Sequence, residues 1–382
     1  MLFRSFALIA VAAHAAAAQA IERDYTVIVA SEAVDRLTRI TFGPGAGPTL
    51  AKVEGTTTIG VTPMDPDGPH GVALSPDGRH YFVTTAHGVP FGYLWKLDAR
   101  TNEVVGRVEL GNFPASLQVT PDGGFVYVVN FNLHGEMVPS NVSVVSTDPF
   151  VEVARIQTCT MPHGSRVNGA GTKHYSACMM DDMLIEIDTR ELAVSRHFML
   201  KKGSEHGMAG MPRMSHATSD SSGSHTGHGM EPPKPGTDRC SPTWAQPSAD
   251  GRRVFVACNM ANEIVEVDAT SWTMTRRIPA GDGVYNLAVT RDGTLLVATN
   301  KRGKSVSIID IASGKELARI PTQRRVVHGA AISSDDRYAF ISVEGVGSEP
   351  GTVEMIDLRT KQRVASADVG QMAGGIDVLR NR

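Results

Sequence analysis

One turn signal recurs along this chain roughly every 40 to 50 residues, with one longer gap, and that period decides what the chain can fold into. It follows a short apolar strand in VALSPDGRHYFVTT from residue 72, LQVTPDGGFVYVVN from 117, SRVNGAGTKHYSAC from 165, AQPSADGRRVFVAC from 245, LAVTRDGTLLVATN from 287 and AAISSDDRYAFISV from 330. A second signature follows five of the six copies, an alternating strand with Asp at or near its end: LWKLDART from 94, LIEIDTRE from 184, IVEVDATS from 264, SIIDIASG from 307 and EMIDLRTK from 354. Each unit therefore reads as strand, Asp-Gly turn, strand, loop, strand, turn, strand. Asp-Gly supplies the positive-φ position that a tight hairpin needs.

Six units are complete, starting near residues 64, 112, 160, 238, 282 and 324, and the two chain ends predict a seventh. Residues 24–58 hold three strands but no inner one, whereas GGIDVLR from 374 reads as an inner strand without partners. Joining the ends closes a ring and removes exposed sheet edges. The expectation is an all-β, seven-bladed β-propeller over residues 21–382, closed by the N- and C-terminal strands in one blade. With 382 residues, 41% of them hydrophobic, the chain can bury such a core. A formal charge of -3 is too mild to argue for nucleic acid, and after residue 20 no apolar run is long enough to span a membrane. Residues 1–20 place Arg4 before an alanine-rich apolar run ending in Ala18, Gln19 and Ala20, the pattern of a cleaved signal peptide. A periplasmic or secreted, monomeric chain is expected.

These repeats resemble the YVTN β-propeller family over nearly the whole mature chain. That resemblance implies the fold and little about activity, because the same repeat serves enzymes, binding proteins and surface proteins. Function has to be read from departures from the repeat.

The first departure lies just before each inner strand. Blades two to seven and then one hold His70, Ala115, His163, Thr243, Tyr285, His328 and Gly374 there. Inner-strand starts ring the mouth of a propeller's channel, so the three histidines are expected to converge, and three imidazoles suit copper or zinc with a position left for water or substrate. The bland alternative is turn chemistry, with His filling a polar mouth. The second departure is an insertion over residues 204–236 between blades four and five, expected to be flexible. It carries His206, Met208, Met211, Met214, His216, His225, His228 and Met230. Thioether with imidazole is a copper ligand set, and the segment is similar to Met/His-rich loops of periplasmic copper-handling proteins. Unless these residues are incidental to a low-complexity linker, it can hang over the hub as a donor or a lid.

Four cysteines form two matched pairs, Cys159 with Cys178 and Cys240 with Cys258, each before an inner strand and at the end of the next. In an oxidising compartment two disulfides are expected; thiolate ligation of copper beside His163 is the alternative. His87 and His134 read as surface-loop residues that can form an outer shell, while His80 and His174 fall on the opposite face. Arg166, Arg324, Arg325, Trp244 and Tyr285 are candidate mouth residues for an anionic or aromatic ligand.

Two functional classes stay open. One is a periplasmic copper-binding propeller for storage, delivery or tolerance, with copper ions and a copper donor or acceptor protein as partners. The other is a copper-dependent oxidoreductase, resembling methanethiol oxidase-type propellers, with a catalytic hub copper.

Overall fold

A computed structural model describes residues 21–61, 65–87, 91–210 and 238–379. They form seven antiparallel sheets arranged as the repeats predict. Six sheets have four strands, and the sheet of blade four has five. In blade one the C-terminal strand Ala373–Leu379 lies innermost and pairs with Tyr25–Ser31, with Val27 opposite Val378; Arg36–Phe42 and Ala51–Thr58 complete the sheet.

The recurring turn explains why each hairpin closes where it does. Gly78, Gly123, Gly171, Gly251 and Gly293 all have φ between 68° and 78°, where a side chain is strained. Ahead of the turn a hydroxyl bonds the Asp two residues on: Ser75 to Asp77 at 2.6 Å, Ser248 to Asp250 at 2.6 Å and Ser333 to Asp335 at 2.6 Å. In blade seven Asp336, not glycine, takes the left-handed position at φ 57°, which Asp tolerates better than most side chains.

Hydrophobic cores lie between neighbouring blades. Tyr25 and Phe42 of blade one pack on Tyr338 and Phe340 of blade seven, for example, with ring centroids 5.2 to 5.8 Å apart. Both expected disulfides are present, Cys159–Cys178 and Cys240–Cys258, with Cα atoms 5.9 and 4.4 Å apart. All four sulfurs are thereby used, which removes the thiolate-ligand alternative.

The insertion begins as regular structure. His206–Ala209 adds a fifth strand to the outer edge of blade four, with His206 opposite Met199 and Met208 opposite His197. Trp272 of blade five explains this. A Cβ at residue 207 would stand 2.3 Å from the Trp272 ring, so only glycine lets the new strand lie against it, and the Trp272 indole donates to the His197 carbonyl at 2.9 Å.

Candidate functional site

The inner-strand starts meet at one end of the central channel, held by a belt of hydroxyls. Thr84 of blade two donates to the Ala115 carbonyl at 2.7 Å, Ser116 to that of His163 at 2.5 Å, Thr243 to that of Tyr285 at 2.8 Å and Thr299 to that of His328 at 3.0 Å. Ser342 bonds the Gly374 carbonyl in the same way. Five blades therefore fix the backbone of the next at the residue that faces the mouth, and in blade four the His163 ring takes that part at the Thr243 carbonyl. The glycine after each histidine has the same origin: a Cβ at Gly71, Gly164 or Gly329 would lie 2.4, 2.4 or 2.7 Å from the neighbouring blade's Ala115, Thr243 or Gly374 carbonyl oxygen. Pro-His-Gly and Val-His-Gly thus hold imidazoles at positions where adjacent strands nearly touch.

His70, His163 and His328 are brought together. The ring of His70 lies 6.4 Å from that of His163 and 5.5 Å from that of His328, and the Tyr285 ring sits between the other two at 5.3 Å from His163 and 4.9 Å from His328. Two imidazoles bound to one ion through nitrogens at about 2.1 Å have centroids about 5 to 6 Å apart. The His70–His328 pair falls inside that range and the His70–His163 pair just outside it, while the Tyr285 ring separates His163 from His328. Among the described residues no three His, Cys, Asp or Glu side chains are already collapsed into a metal-holding group.

Second partners orient the rings. His70 Nδ1 lies 2.9 Å from Glu32 Oε2, and His163 Nδ1 lies 2.8 Å from the Thr243 carbonyl, which assigns the Nδ1 proton of each ring to that contact. The Nε2 lone pair of His163 then accepts from the Tyr285 hydroxyl at 3.0 Å. His328 is buried with Nδ1 unpartnered and Nε2 3.9 Å from Glu344. Its Nδ1 edge faces Gly374, where a Cβ would approach within 3.8 Å.

Burial pulls the His163 imidazole down to about 3, against the Thr243 contact, and lowers His328 well below the ordinary value with help from the Lys301 charge. Both rings are therefore neutral near pH 7. Glu32 behaves oppositely. Burial works to raise it, but His70 and His87 together hold it well below the usual carboxylate range. Its other oxygen meets His87 Nε2, and this contact raises His87. His134 lies 5.5 Å from His87, ring to ring, and both pack on Phe113, so the two loop histidines are an outer layer over the mouth. Lys301 stands 4.4 Å over the Tyr285 ring and 3.4 Å from Glu344.

Other sequence candidates are placed elsewhere. His206 and Met208 lie four strands out from the inner strand of blade four, about 19 Å at ordinary strand spacing, and not above the hub. Met211, Met214, His216, His225, His228 and Met230 lie outside the described residues. Arg324 pairs with Asp368 at 3.2 Å on the surface. His174 is fully buried, stacked on Tyr127 at 4.9 Å. Sequence reasoning missed Glu32, Lys301 and Glu344 at the mouth; the one available signal, for Glu32 alone, was an acidic residue directly after the apolar strand 25–31.

No protein-family model and no curated protein matches the chain. Solved structures do resemble it. The hydrazine synthase of Kuenenia stuttgartiensis is 22% identical, with a TM-score of 0.58 over 79% of this chain and 80% of that one. A functionally unknown protein of Desulfotomaculum acetoxidans is 16% identical, with a TM-score of 0.64 over 94% of this chain and 99% of that one. The periplasmic gluconolactonase of Pseudomonas aeruginosa is 16% identical, with a TM-score of 0.65 over the same shares. At these identities the likeness establishes a shared propeller fold and nothing finer.

Proposed function

We propose that this chain is an exported copper-binding propeller whose His70, His163 and His328 hold one ion at the channel mouth. One observation carries the reading: imidazoles from three non-adjacent blades converge, two with Nδ1 bound to a carboxylate or carbonyl acceptor, the third with a buried nitrogen that has no partner. That second layer of acceptors is the arrangement that fixes metal-ligating histidines. The ion would take Nε2 of His163 in place of the Tyr285 hydroxyl. Copper is favoured over zinc by the Met/His segment 206–230, since soft sulfur with imidazole selects it. Two disulfides suit an oxidising compartment outside the cytoplasm.

Copper at such a site supplies one-electron chemistry. Tyr285 is the observation that favours the oxidoreductase reading within this proposal, because its phenol, raised above its ordinary value by burial, sits directly against two of the three rings. The test is titration of metal-free protein with Cu(I) against a competing chelator, for wild type, His163→Ala and a deletion of residues 211–237. One ion should survive the deletion and bind more than about tenfold more weakly in His163→Ala; any further ions should vanish with the deletion. A wild-type chain with no stoichiometric copper, or His163→Ala with unchanged affinity, overturns the hub assignment.

A further inference from the structure

Three residues beyond the histidine slot, the inner strands build a second ring of a different character. It holds Ala73, Gln118, Arg166, Gln246, Ala288, Ala331 and Asp377. Three alanines leave space, and a cavity of about 480 Å³ opens below, toward the Asp-Gly turns. That is within the range of small-molecule sites. Toward the histidines only about 40 Å³ remains, room for roughly one water. An organic ligand therefore enters from the face opposite the hub.

Arg166 stands between these two spaces and lines both. Other partly buried arginines meet a carboxylate: Arg196 with Glu186, Arg276 with Glu266, Arg337 with Asp357 and Arg363 with Glu354. Arg166 has no ion pair among the described residues. Its one side-chain hydrogen bond among the described residues runs from Nη1 to the adjacent Ser165 carbonyl at 2.9 Å, and its guanidinium carbon lies 4.4 Å over the Trp244 ring. Asp377, in the same ring of residues, accepts from the backbone amides of Leu74 at 2.9 Å and Val378 at 2.8 Å. Asp336 of the cavity wall is held likewise by the amides of Arg291 and Asp292 at 2.8 and 2.9 Å. Burial pulls the guanidinium down to about 10, opposed by the more distant charge of Asp377.

Gln118 and Gln246 flank Arg166 from the blades on either side. Gln118 Oε1 accepts from the Val167 amide at 2.8 Å, which assigns its NH₂ to the other, donor end. We propose that this lower chamber is a binding site for a small organic carboxylate, held by the Arg166 guanidinium with Gln118 as a second donor and Trp244 as the platform that fixes the guanidinium plane. A planar fork over an aromatic face matches a carboxylate in two-point geometry, which a lysine would not. The site does not involve copper and stands whether or not the hub holds a metal.

Isothermal titration of the metal-free full chain with acetate, succinate and neutral acetamide tests it, with indole fluorescence as a second readout. The carboxylates should bind and acetamide should not. Arg166→Met should weaken binding about tenfold or more, the loss of a charge-assisted pair, and Arg166→Lys should recover only part of it. Wild-type crystals soaked in 3-bromopropionate should show the bromine signal in the chamber beside Arg166, a result that does not depend on any variant folding. No carboxylate binding, equal binding of acetamide, unchanged affinity in Arg166→Met, or a bromine signal only elsewhere overturns the proposal.

Discussion

The channel mouth has two halves that treat protons in opposite ways. On one side Glu32 bridges His70 and His87: the two imidazoles favour the ionised carboxylate, and the carboxylate in turn favours the charged form of His87. On the other, His163 and His328 lie buried around Tyr285 and are kept neutral by loss of water. Three histidines occupying one slot of one repeat are thus chemically unequal. What differs is what neighbouring blades supply: blade one contributes a carboxylate from the turn of residues 32–34, whereas the inner strands of blades five and six contribute a carbonyl and a phenol.

The largest effect expected from this contrast is acid destabilisation of the metal-free protein. Buried neutral imidazoles refuse protons that the unfolded chain accepts below about 6.5, so stability falls as pH drops through that value, by about 1.4 kcal/mol per pH unit for each such group. For His163 the loss continues down to about 3. His174, equally buried but at the other end of blade four, is also pulled down to about 3 and adds to the same slope. Urea unfolding between pH 6.5 and 4.5 measures it. His174→Leu should flatten the slope and leave copper binding intact, while His163→Gln should change both; identical slopes in all three proteins would break the comparison.

A smaller effect belongs to the charged half. Glu32→Gln should cost about 2 kcal/mol near pH 6, since a nearly buried carboxylate with two imidazole partners is lost. The sign follows from the two shifts. His87 is raised, so its share is present below 6.5 and lost as pH rises through the folded value; Glu32 is lowered, so its share is present above the ordinary carboxylate value and lost only in stronger acid. The His87 resonances in an NMR titration should move back toward 6.5 in Glu32→Gln. An unmoved His87 would mean that the bridge contributes nothing.

Smallest is the link across the neutral half. Tyr285→Phe removes one hydrogen bond to His163 and should cost about 1 kcal/mol of folding stability. It should also tighten Cu(I) binding modestly, because the ion no longer competes with the phenol for Nε2. Weaker binding in this variant would instead make the hydroxyl part of the ligand shell.

The repeat made the fold legible, because every hairpin carries its own turn chemistry and the mismatch between the chain ends announces how the ring closes. The disulfides were legible for the same reason: in two successive blades a cysteine precedes the inner strand and another ends its neighbour. His70, His163 and His328 were found as one slot read across repeats. Glu32, Lys301 and Glu344 were not, since they reach the mouth from different blades and no local pattern records which loops meet there. Arg166 was noticed as a mouth residue, whereas its place three residues along the inner strand sets it one level below, between the histidine end and the lower chamber. The strand His206–Ala209 was missed because its glycine-rich sequence reads as linker, and only Trp272 from the next blade makes that glycine an asset.

Blade one is stitched from residues some 350 positions apart, Tyr25–Ser31 against Ala373–Leu379. Both rings of the channel depend on that seam, through Gly374 beside His328 above and Asp377 below. Neither chamber has a complete wall until Ala373–Leu379 has slotted home beside Tyr25–Ser31. Ligand capture is therefore deferred until the ring closes: a chain cut short before residue 373 presents six complete blades and a seventh that lacks its inner strand. Occupancy of either chamber would serve as a readout of finished folding, and a ligand that bridges the seam would act as a clasp on the ring.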